Sequence, residues 1–251
     1  MILDFSGKVA VVTGAGSQIG FGKAIALTFA RYQSEVVACD INLAGVEQTA
    51  AEARALGYKA LAMKMDVSSY VEVNDAVNKI LEQMGKIDIL VNVAGVSQTF
   101  KPFVESTEEE WDWIIGINIK GVFNCTRAVL PDMISRKSGK IINIGSGESN
   151  NPGPSVGGTV YGVTKHAVNA FTRALSKEVI RSGINVNCVI PGFADTGLAL
   201  NAPPGMLDKM AETLAIGRLT VPQDVANAVA FLASEAADDI VGQCLRVAGD
   251  V

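Results

Sequence analysis

The sequence is poor in the two residue types that build most structural metal sites and disulfide frameworks. Of its 251 residues, four are cysteines and one is a histidine. The cysteines, at positions 39, 125, 188 and 244, are widely separated and form no Cys-x-x-Cys pair. We therefore expect neither a metal site nor a disulfide framework, and reduced thiols fit a cytoplasmic protein.

Positive charge and long apolar runs are also scarce. The chain has 21 Lys and Arg residues against 26 Asp and Glu residues, which gives a formal net charge of -5. Such a chain offers no basic face for a phosphate backbone, so nucleic-acid binding is not expected. No uninterrupted apolar stretch reaches the length of a bilayer span, and the first residues do not resemble an export signal, so we expect no membrane partner.

Apolar residues, by contrast, are abundant. Hydrophobic residues make up 49% of the chain and charged residues 19%, which supplies enough apolar surface for a sizeable core. Chains of this length that alternate strand and helix patterns often form one unit. We expect residues 1–251 to form a single domain.

A glycine-rich loop follows the first apolar segment. Residues 9–13 are a β-branched run typical of a strand buried on both faces, and residues 14–22 contain four glycines before a helical pattern begins. Without a Cβ the backbone can approach a pyrophosphate, and the helix amino terminus attracts its charge. A strand-to-helix connection without a ligand also uses glycine, so the loop alone indicates a nucleotide site only weakly.

A carboxylate at the end of the second predicted strand strengthens this interpretation. Residues 36–40 end in Asp40, eighteen positions after Gly22. In a βαβ nucleotide unit an acid at about that distance accepts hydrogen bonds from the adenosine ribose and repels a 2′-phosphate. Ile41 and Asn42 bring no positive charge, so NAD is favoured over NADP. The alternative, Asp40 as a helix N-cap or turn residue, leaves the spacing unexplained.

Five further segments have the composition of parallel strands, which makes seven in all. They span residues 61–65, 87–91, 140–144, 184–190 and 243–247. Asp66 and Val67 follow the third strand, where a carboxylate could accept a hydrogen bond from an adenine amino group. Small residues after the fourth strand, Asn92 to Gly95, would permit close approach of a cofactor.

Helix-start signals lie between these strands. Ser68 or Ser69 is expected to cap one helix, Thr107 to begin a long helix that runs through residue 122, and Pro222 to begin the last long helix. Asn118 lies inside the second of these helices. An asparagine is unfavourable there, so it either faces solvent or has a function.

Tyr161 and Lys165 are four residues apart and share one helix face. An ammonium beside a phenol lowers the phenol's pKa from about 10, which would let Tyr161 act as a general acid or base. Such a pair on its own is most often an ordinary surface pair. Ser146, delivered by the fifth strand to its carboxyl end, lies where doubly wound sheets bind ligands.

Together these residues resemble the short-chain dehydrogenase/reductase family over residues 7–249. Thr13-Gly14 followed by Gly20-Phe21-Gly22 is similar to the family's glycine motif with two additional residues, and residues 92–95 are similar to its Asn-Asn-Ala-Gly motif with Val93 in place of the second Asn. The family's catalytic tetrad is matched residue by residue, by Asn118, Ser146, Tyr161 and Lys165.

The resemblance implies a Rossmann-type, doubly wound, seven-stranded parallel sheet with helices on both faces. It also implies a homotetramer that uses NAD to interconvert a secondary alcohol and a ketone, with Tyr161 as acid or base and Asn118 holding a water. A largely apolar lid at about residues 194–215, without Arg, favours a neutral, moderately hydrophobic substrate. Expected cofactor contacts are Gly14, Ser17, Gln18, Ile19, Gly20, Phe21, Asp40, Asp66, Val67, Asn92, Ala94, Tyr161, Lys165, Pro191, Gly192, Phe193 and Thr196.

Two alternatives stay open. One is reduction of a 3-oxoacyl thioester on an acyl-carrier protein, with Arg136, Lys137 and Lys177 as conceivable contacts for an acidic carrier. The other is a non-catalytic NAD-binding sensor or scaffold, suggested by the longer glycine loop and by Val93. His166, next to Lys165 but on a different helix face, is expected to be structural or solvent-facing.

Overall fold

A seven-stranded parallel sheet forms the centre of the molecule. The computed structural model describes residues 3–97, 101–146, 158–194, 196 and 205–250, except for the side chains of Met206 and Met210. The strands are β1 (Val9–Thr13), β2 (Glu35–Asp40), β3 (Ala60–Lys64), β4 (Ile89–Asn92), β5 (Gly139–Ile144), β6 (Ile184–Pro191) and β7 (Cys244–Val247). Their order in the sheet is β3-β2-β1-β4-β5-β6-β7.

Helices connect the strands. They are α1 (Phe21–Arg31), α2 (Leu43–Ala55), α3 (Tyr70–Met84), α4 (Glu108–Ile115), α5 (Gly121–Arg136), α6 (Thr159–Val179), α7 (Met206–Thr213) and α8 (Pro222–Ala233). None of the helices in the described part of the chain combines the length and apolar character that crossing a bilayer requires.

Two apolar clusters lie on opposite faces of the sheet. Alternate residues of β1 point to opposite sides, so Ala10 and Val12 pack with α1, α2 and α8, while Val9 and Val11 pack with α3, α5 and α6. Strands buried on both faces need apolar residues at every position, which is why β1 and β6 are buried throughout. The predicted doubly wound arrangement is confirmed.

All seven predicted strands occur, with shifts of one or two residues at some ends. The largest shift is at β4, which begins at Ile89 instead of residue 87. Asp88 lies just before β4, and its carboxylate accepts hydrogen bonds from Val9 N (2.9 Å) and Arg136 Nη1 (3.1 Å). Its backbone also bonds both neighbouring strands, since Asp88 N donates to Val9 O (3.0 Å) and Asp88 O accepts from Lys140 N (2.9 Å).

The predicted helix starts are confirmed, but one predicted helix is not continuous. Ser69 caps α3, Thr107 forms a capping box at α4, and Pro222 opens α8. The long helix expected from residue 107 to 122 is instead interrupted by a π-helical turn, Gly116–Lys120, between α4 and α5. Single π turns of this kind occur frequently at functional sites.

Chain order reverses between β1 and β4, and this switch point creates a cleft at the carboxyl ends of the strands. Residues that follow β1, β4 and β5 therefore converge there. Of the predicted lid at 194–215, residues 195 and 197–204 lie outside the described part of the chain, and α7 lies within it. Residues 147–157, between Ser146 and α6, are also outside the described part of the chain.

Candidate active site

The glycine loop packs helix α1 directly onto the end of β1. A Cβ at Gly22 would lie 2.6 Å from the carbonyl carbon of Gly14 and 2.9 Å from Ala15 Cα. Gly14 itself has a φ of +66° and faces Ala94, whose backbone N would be 2.8 Å from a Cβ. Because Gly22 makes the tight helix-to-strand contact, the alignment with two additional loop residues is the one that the packing supports.

The additional residues of the loop are fixed against α2. Gln18 Nε2 donates to Gly16 O (3.2 Å) and Gly45 O (3.0 Å), and Thr49 Oγ1 donates to Ala15 O (2.8 Å). A Cβ at Gly45 would lie 2.8 Å from the carbonyl carbon of Gly16. The Gln18 side chain is therefore turned toward α2 and not toward the cleft.

Asp40 is part of the same arrangement. Its Oδ2 accepts a hydrogen bond from Gly16 N (3.0 Å), and its Oδ1 accepts one from Asn42 N (2.9 Å). The N-cap of α2 is Asn42, which accepts from Gly45 N, so the reading of Asp40 as a helix N-cap is wrong. Each Asp40 oxygen keeps a second lone pair, and the residue lines the cleft.

The cleft has a volume of about 370 Å³. It is lined by the glycine loop, by residues at the carboxyl ends of the strands, and by Trp113 and Ile117 in and after α4. Its described lining contains two carboxylates, Asp40 and Asp66, but no Lys or Arg. Gly14, Gly20 and Gly22 line the cleft at the amino terminus of α1. These features fit a dinucleotide whose pyrophosphate lies on the loop and whose ribose carries no 2′-phosphate.

About half of the predicted cofactor contacts line this cleft. They are Gly14, Ser17, Gly20, Phe21, Asp40, Asp66, Val67, Ala94 and Thr196. Those that do not line it are Gln18, Ile19, Asn92, Tyr161, Lys165, Pro191, Gly192 and Phe193. Ile19 is 50% exposed at the loop surface, and Asn92 Nδ2 donates inward to Asn143 Oδ1 (2.8 Å) and Thr126 Oγ1 (3.2 Å). If Gln18, Ile19 and Asn92 contact a cofactor as predicted, they do so through backbone atoms and not through their side chains.

Sequence reasoning missed one wall of the cleft. Trp113 and Ile117 line it, and a Cβ at Gly121 would lie 2.7 Å from Val67 Cγ2. These three positions are four residues apart, which places them on one side of the helical segment despite the π turn. That i, i+4, i+8 spacing is the signal that could have identified the wall.

Asn118 lies in the π-helical turn and is fully buried. Its Oδ1 accepts from Val96 N (2.9 Å), and its Nδ2 donates to Val96 O (2.9 Å) and Thr164 Oγ1 (3.0 Å). Both amide hydrogens are thus used within the protein. The expectation that this side chain holds a water is limited to the second lone pair of Oδ1.

Lys165 and Tyr161 occupy one side of α6, as predicted. Lys165 is 5% exposed, its Nζ donates to Ile144 O (3.0 Å), and that nitrogen lies 5.7 Å from the centre of the Tyr161 ring. Burial lowers the pKa of Lys165 to about 8, an effect that Cys188 partly opposes. His166, on a different face, is exposed, as expected.

Ser146 lies two residues beyond the carbonyl that Lys165 contacts, at the carboxyl end of β5. The approach of the chain is fixed there, since Gly145 N donates to Val189 O (2.8 Å) and a Cβ at Gly145 would lie 2.6 Å from Asn169 Oδ1. A hydroxyl, a phenol and a buried ammonium are thus delivered by β5 and α6 to the same end of the sheet. Such a set can hold and protonate a carbonyl oxygen.

Because burial lowers the pKa of Lys165, it makes protein stability depend on pH. Between pH 8 and 10.5 the folded state releases the Lys165 proton while the unfolded state retains it, so stability rises with pH in that window. Relative to Lys165→Met, we expect the wild-type melting temperature to rise by roughly 5 °C between pH 7 and pH 10 in calorimetry without cofactor. Lys177→Met, on the exposed side of α6, keeps Lys165, so its melting temperature should follow that of the wild type at every pH. A difference between the wild type and Lys165→Met that does not change with pH would contradict the prediction.

Known proteins with similar sequences and structures were compared with the chain. The sequence profile of a family described as short chain dehydrogenase matches residues 8–206. 3-Oxoacyl-(acyl-carrier-protein) reductase FabG of Thermotoga maritima is 35% identical over 249 residues, which cover 98% of each chain. Oxidoreductase UcpA of Salmonella typhimurium is 38% identical and covers 94% of this chain and 91% of its own. A crystal structure of 3-ketoacyl-(acyl-carrier-protein) reductase from Brucella melitensis, complexed with NADH, has a TM-score of 0.91 at 36% identity and covers 98% of each chain.

Proposed function

Because the chain belongs to the short-chain dehydrogenase family, we propose that it is an NAD(H)-dependent oxidoreductase that interconverts a secondary alcohol and a ketone. The observation that carries this proposal is the buried Lys165 ammonium, 5.7 Å from the centre of the Tyr161 ring at the end of the sheet that bears Ser146. A lysine is costly to bury without a carboxylate partner. Its position beside a phenol is what proton transfer requires.

The chain's residues divide the work between binding and proton transfer. Gly14, Gly22 and the amino terminus of α1 would hold the pyrophosphate, and Asp40 would accept hydrogen bonds from the adenosine ribose. The nicotinamide, when bound, supplies or accepts a hydride. Thr196 lines the same cleft beyond β6 and would lie along the cofactor.

In the reductive direction, Tyr161 would donate its phenolic proton to the substrate carbonyl oxygen while the Ser146 hydroxyl holds that oxygen by a hydrogen bond. The Lys165 charge stabilises the phenolate that remains. A Cβ at Gly95 would lie 3.3 Å from both Asn118 Oδ1 and Lys165 Nζ, so these atoms flank one point. A water that bridges these two atoms, held clear of the Gly95 backbone, could return the proton through Lys165 to Tyr161.

We expect NAD(H) to be preferred over NADP(H) by at least about 100-fold in kcat/KM, or about 2.7 kcal/mol. A 2′-phosphate would lie against the Asp40 carboxylate, and no Lys or Arg occurs in the described lining to neutralise it. Steady-state kinetics with both cofactors and one accepted ketone measure the ratio. Asp40→Asn keeps an acceptor for Gly16 N but removes the charge, so it should narrow the preference. A wild type that prefers NADPH would contradict the role of Asp40.

A 3-oxoacyl thioester is the second candidate substrate, favoured by the names of relatives in Thermotoga and Brucella. The positions of the three residues that the sequence suggested as contacts for an acyl-carrier protein do not support this candidate. Arg136 bonds Asp88 and Asp132, Lys137 ends α5, and Lys177 is in the last turn of α6. All three lie at the amino edge of the sheet, about 20 Å from its carboxyl edge.

A substrate screen separates the three readings. Purified protein is assayed with NADH against a panel of neutral ketones and one 3-oxoacyl thioester, and NADH binding is measured in parallel. Ketone reduction without thioester reduction supports the alcohol dehydrogenase proposal. Thioester reduction at higher kcat/KM supports the second candidate, and tight NADH binding without turnover supports a sensor or scaffold.

We also propose a homotetramer of cytoplasmic location. Apolar side chains remain exposed on the central helices, at Ile115, Phe123 and Ile134, and at Leu245 on the edge strand β7. Exposed apolar side chains on long helices and on an edge strand are often covered in an oligomer. Light scattering after size exclusion should give about four times the 26.3 kDa of one chain, and a monomer would contradict the proposal.

A further inference from the structure

Thr164 lies immediately before Lys165 and has no part in the proton transfer assigned to Tyr161 and Lys165. We propose that it is a positioning residue for the reaction. The proposal rests on the proposed function. Thr164 is fully buried, and its hydroxyl has two partners on different elements. Oγ1 donates to Tyr161 O (2.7 Å) and accepts from Asn118 Nδ2 (3.0 Å). The hydroxyl therefore joins the first turn of α6 to the π-helical turn.

The chain of hydrogen bonds continues beyond Asn118. The same amide exchanges two hydrogen bonds with the backbone of Val96, in the segment after β4. Asn118 Oδ1 and Lys165 Nζ would each lie 3.3 Å from a Cβ at Gly95, one residue earlier. Through Asn118, Thr164 thus connects the backbone of Tyr161 with Gly95 and Val96, which lie next to Lys165.

A hydroxyl is needed at residue 164 because the position requires a donor and an acceptor at once. Valine has the same shape but neither group, so one Nδ2 hydrogen of the fully buried Asn118 would lose its partner. A buried unpaired N–H is unfavourable, and the amide would rotate or shift to find another acceptor. Either movement would displace Val96, and the substitution itself removes the hydrogen bond that Thr164 donates to the Tyr161 carbonyl.

The same helix offers a matched control. Thr172 is also fully buried in α6; its Oγ1 accepts from Asn143 Nδ2 (2.9 Å) and donates to Val168 O (2.9 Å). It has the same residue type, the same kind of asparagine donor and a similar bond to its own helix. It lies eight residues further along α6, about 12 Å from Thr164.

The test compares Thr164→Val, Thr164→Ser and Thr172→Val in kinetics with NADH and an accepted substrate. We expect Thr164→Val to lower kcat about 10-fold or more, with the Kd for NADH changed less than twofold. Thr164→Ser, which keeps the hydroxyl, should restore kcat to within threefold of the wild type. Thr172→Val should lower the melting temperature by a similar amount but leave kcat within twofold.

Two results would overturn the proposal. Equal loss of kcat in Thr164→Val and Thr172→Val would show a general effect of a buried polar group, and failure of Thr164→Ser to restore kcat would show that the hydroxyl is not the cause. Failure of the proposed function looks different, because the wild type itself would then turn over none of the substrates. In that case the role of Thr164 falls with it.

Discussion

Tyr161→Phe is expected to lower kcat by about 1,000-fold while the Kd for NADH changes less than about threefold. The substitution removes only the phenolic oxygen, so the ring beside Lys165 and the packing of α6 are retained. General acid catalysis contributes about 100- to 10,000-fold, and the described lining of the neighbouring cleft contains no tyrosine that could replace Tyr161. Single-turnover kinetics of ketone reduction, with NADH fluorescence for binding, separate the two quantities.

The matched control is Tyr32→Phe. Tyr32 is the C-cap of α1 and packs near Phe5, away from the cleft. Removal of the Tyr32 hydroxyl should leave kcat and NADH binding unchanged. Undiminished turnover in Tyr161→Phe would refute the acid/base assignment, whereas loss of NADH binding in that variant would mean that the phenol serves the cofactor site and not proton transfer.

Gly22→Ala is expected to have the largest effect on stability and on cofactor binding. The added Cβ would meet the backbone of Gly14 and Ala15, and backbone atoms cannot yield as a flexible side chain can. Overpacking of this kind costs about 1–3 kcal/mol or more, which corresponds to a fall in melting temperature of roughly 10 °C. Relief of the clash would push α1 away from β1 and carry the phosphate-binding amino terminus out of position. We expect NADH affinity to fall at least about 100-fold.

Gly162→Ala provides the comparison, because among the described residues no atom outside the helix's own backbone lies within 4 Å of the position a Cβ would take there. Alanine in a helix is more favourable than glycine, so this variant should be as stable as the wild type or more so. Thermal unfolding and NADH titration of both variants test the pair. Normal NADH affinity in Gly22→Ala would contradict the packing role of Gly22 and the alignment of the glycine motif with two additional residues.

The sheet could be predicted from sequence because each strand is encoded locally. β1 has its predicted bounds, since a β-branched run between a charged residue and glycines leaves little choice. Ser69 and Pro222 at helix starts were likewise visible in the sequence, because capping depends on residues within one turn.

The details of the site could not be predicted in the same way, because they depend on groups distant in the chain. The hydroxyl of Thr164 meets the amide of Asn118 forty-six positions away, and nothing near either residue encodes that contact. The π turn adds one residue to a helical turn, a change too small to appear in the apolar pattern. A cofactor contact was predicted for Asn92 from its place after a predicted strand, but its side chain points into the protein interior.

The contact between Gly16 and Gly45 links the length of the glycine loop to the sequence of α2. A shorter loop would withdraw the carbonyl that Gly45 lies against and the acceptor that Thr49 uses, and would leave Asp40 without Gly16 N. A larger residue at position 45 would clash with Gly16 and displace the glycine loop. Neither feature can change alone, so phosphate recognition and ribose recognition in this chain would have to evolve, or be redesigned, together.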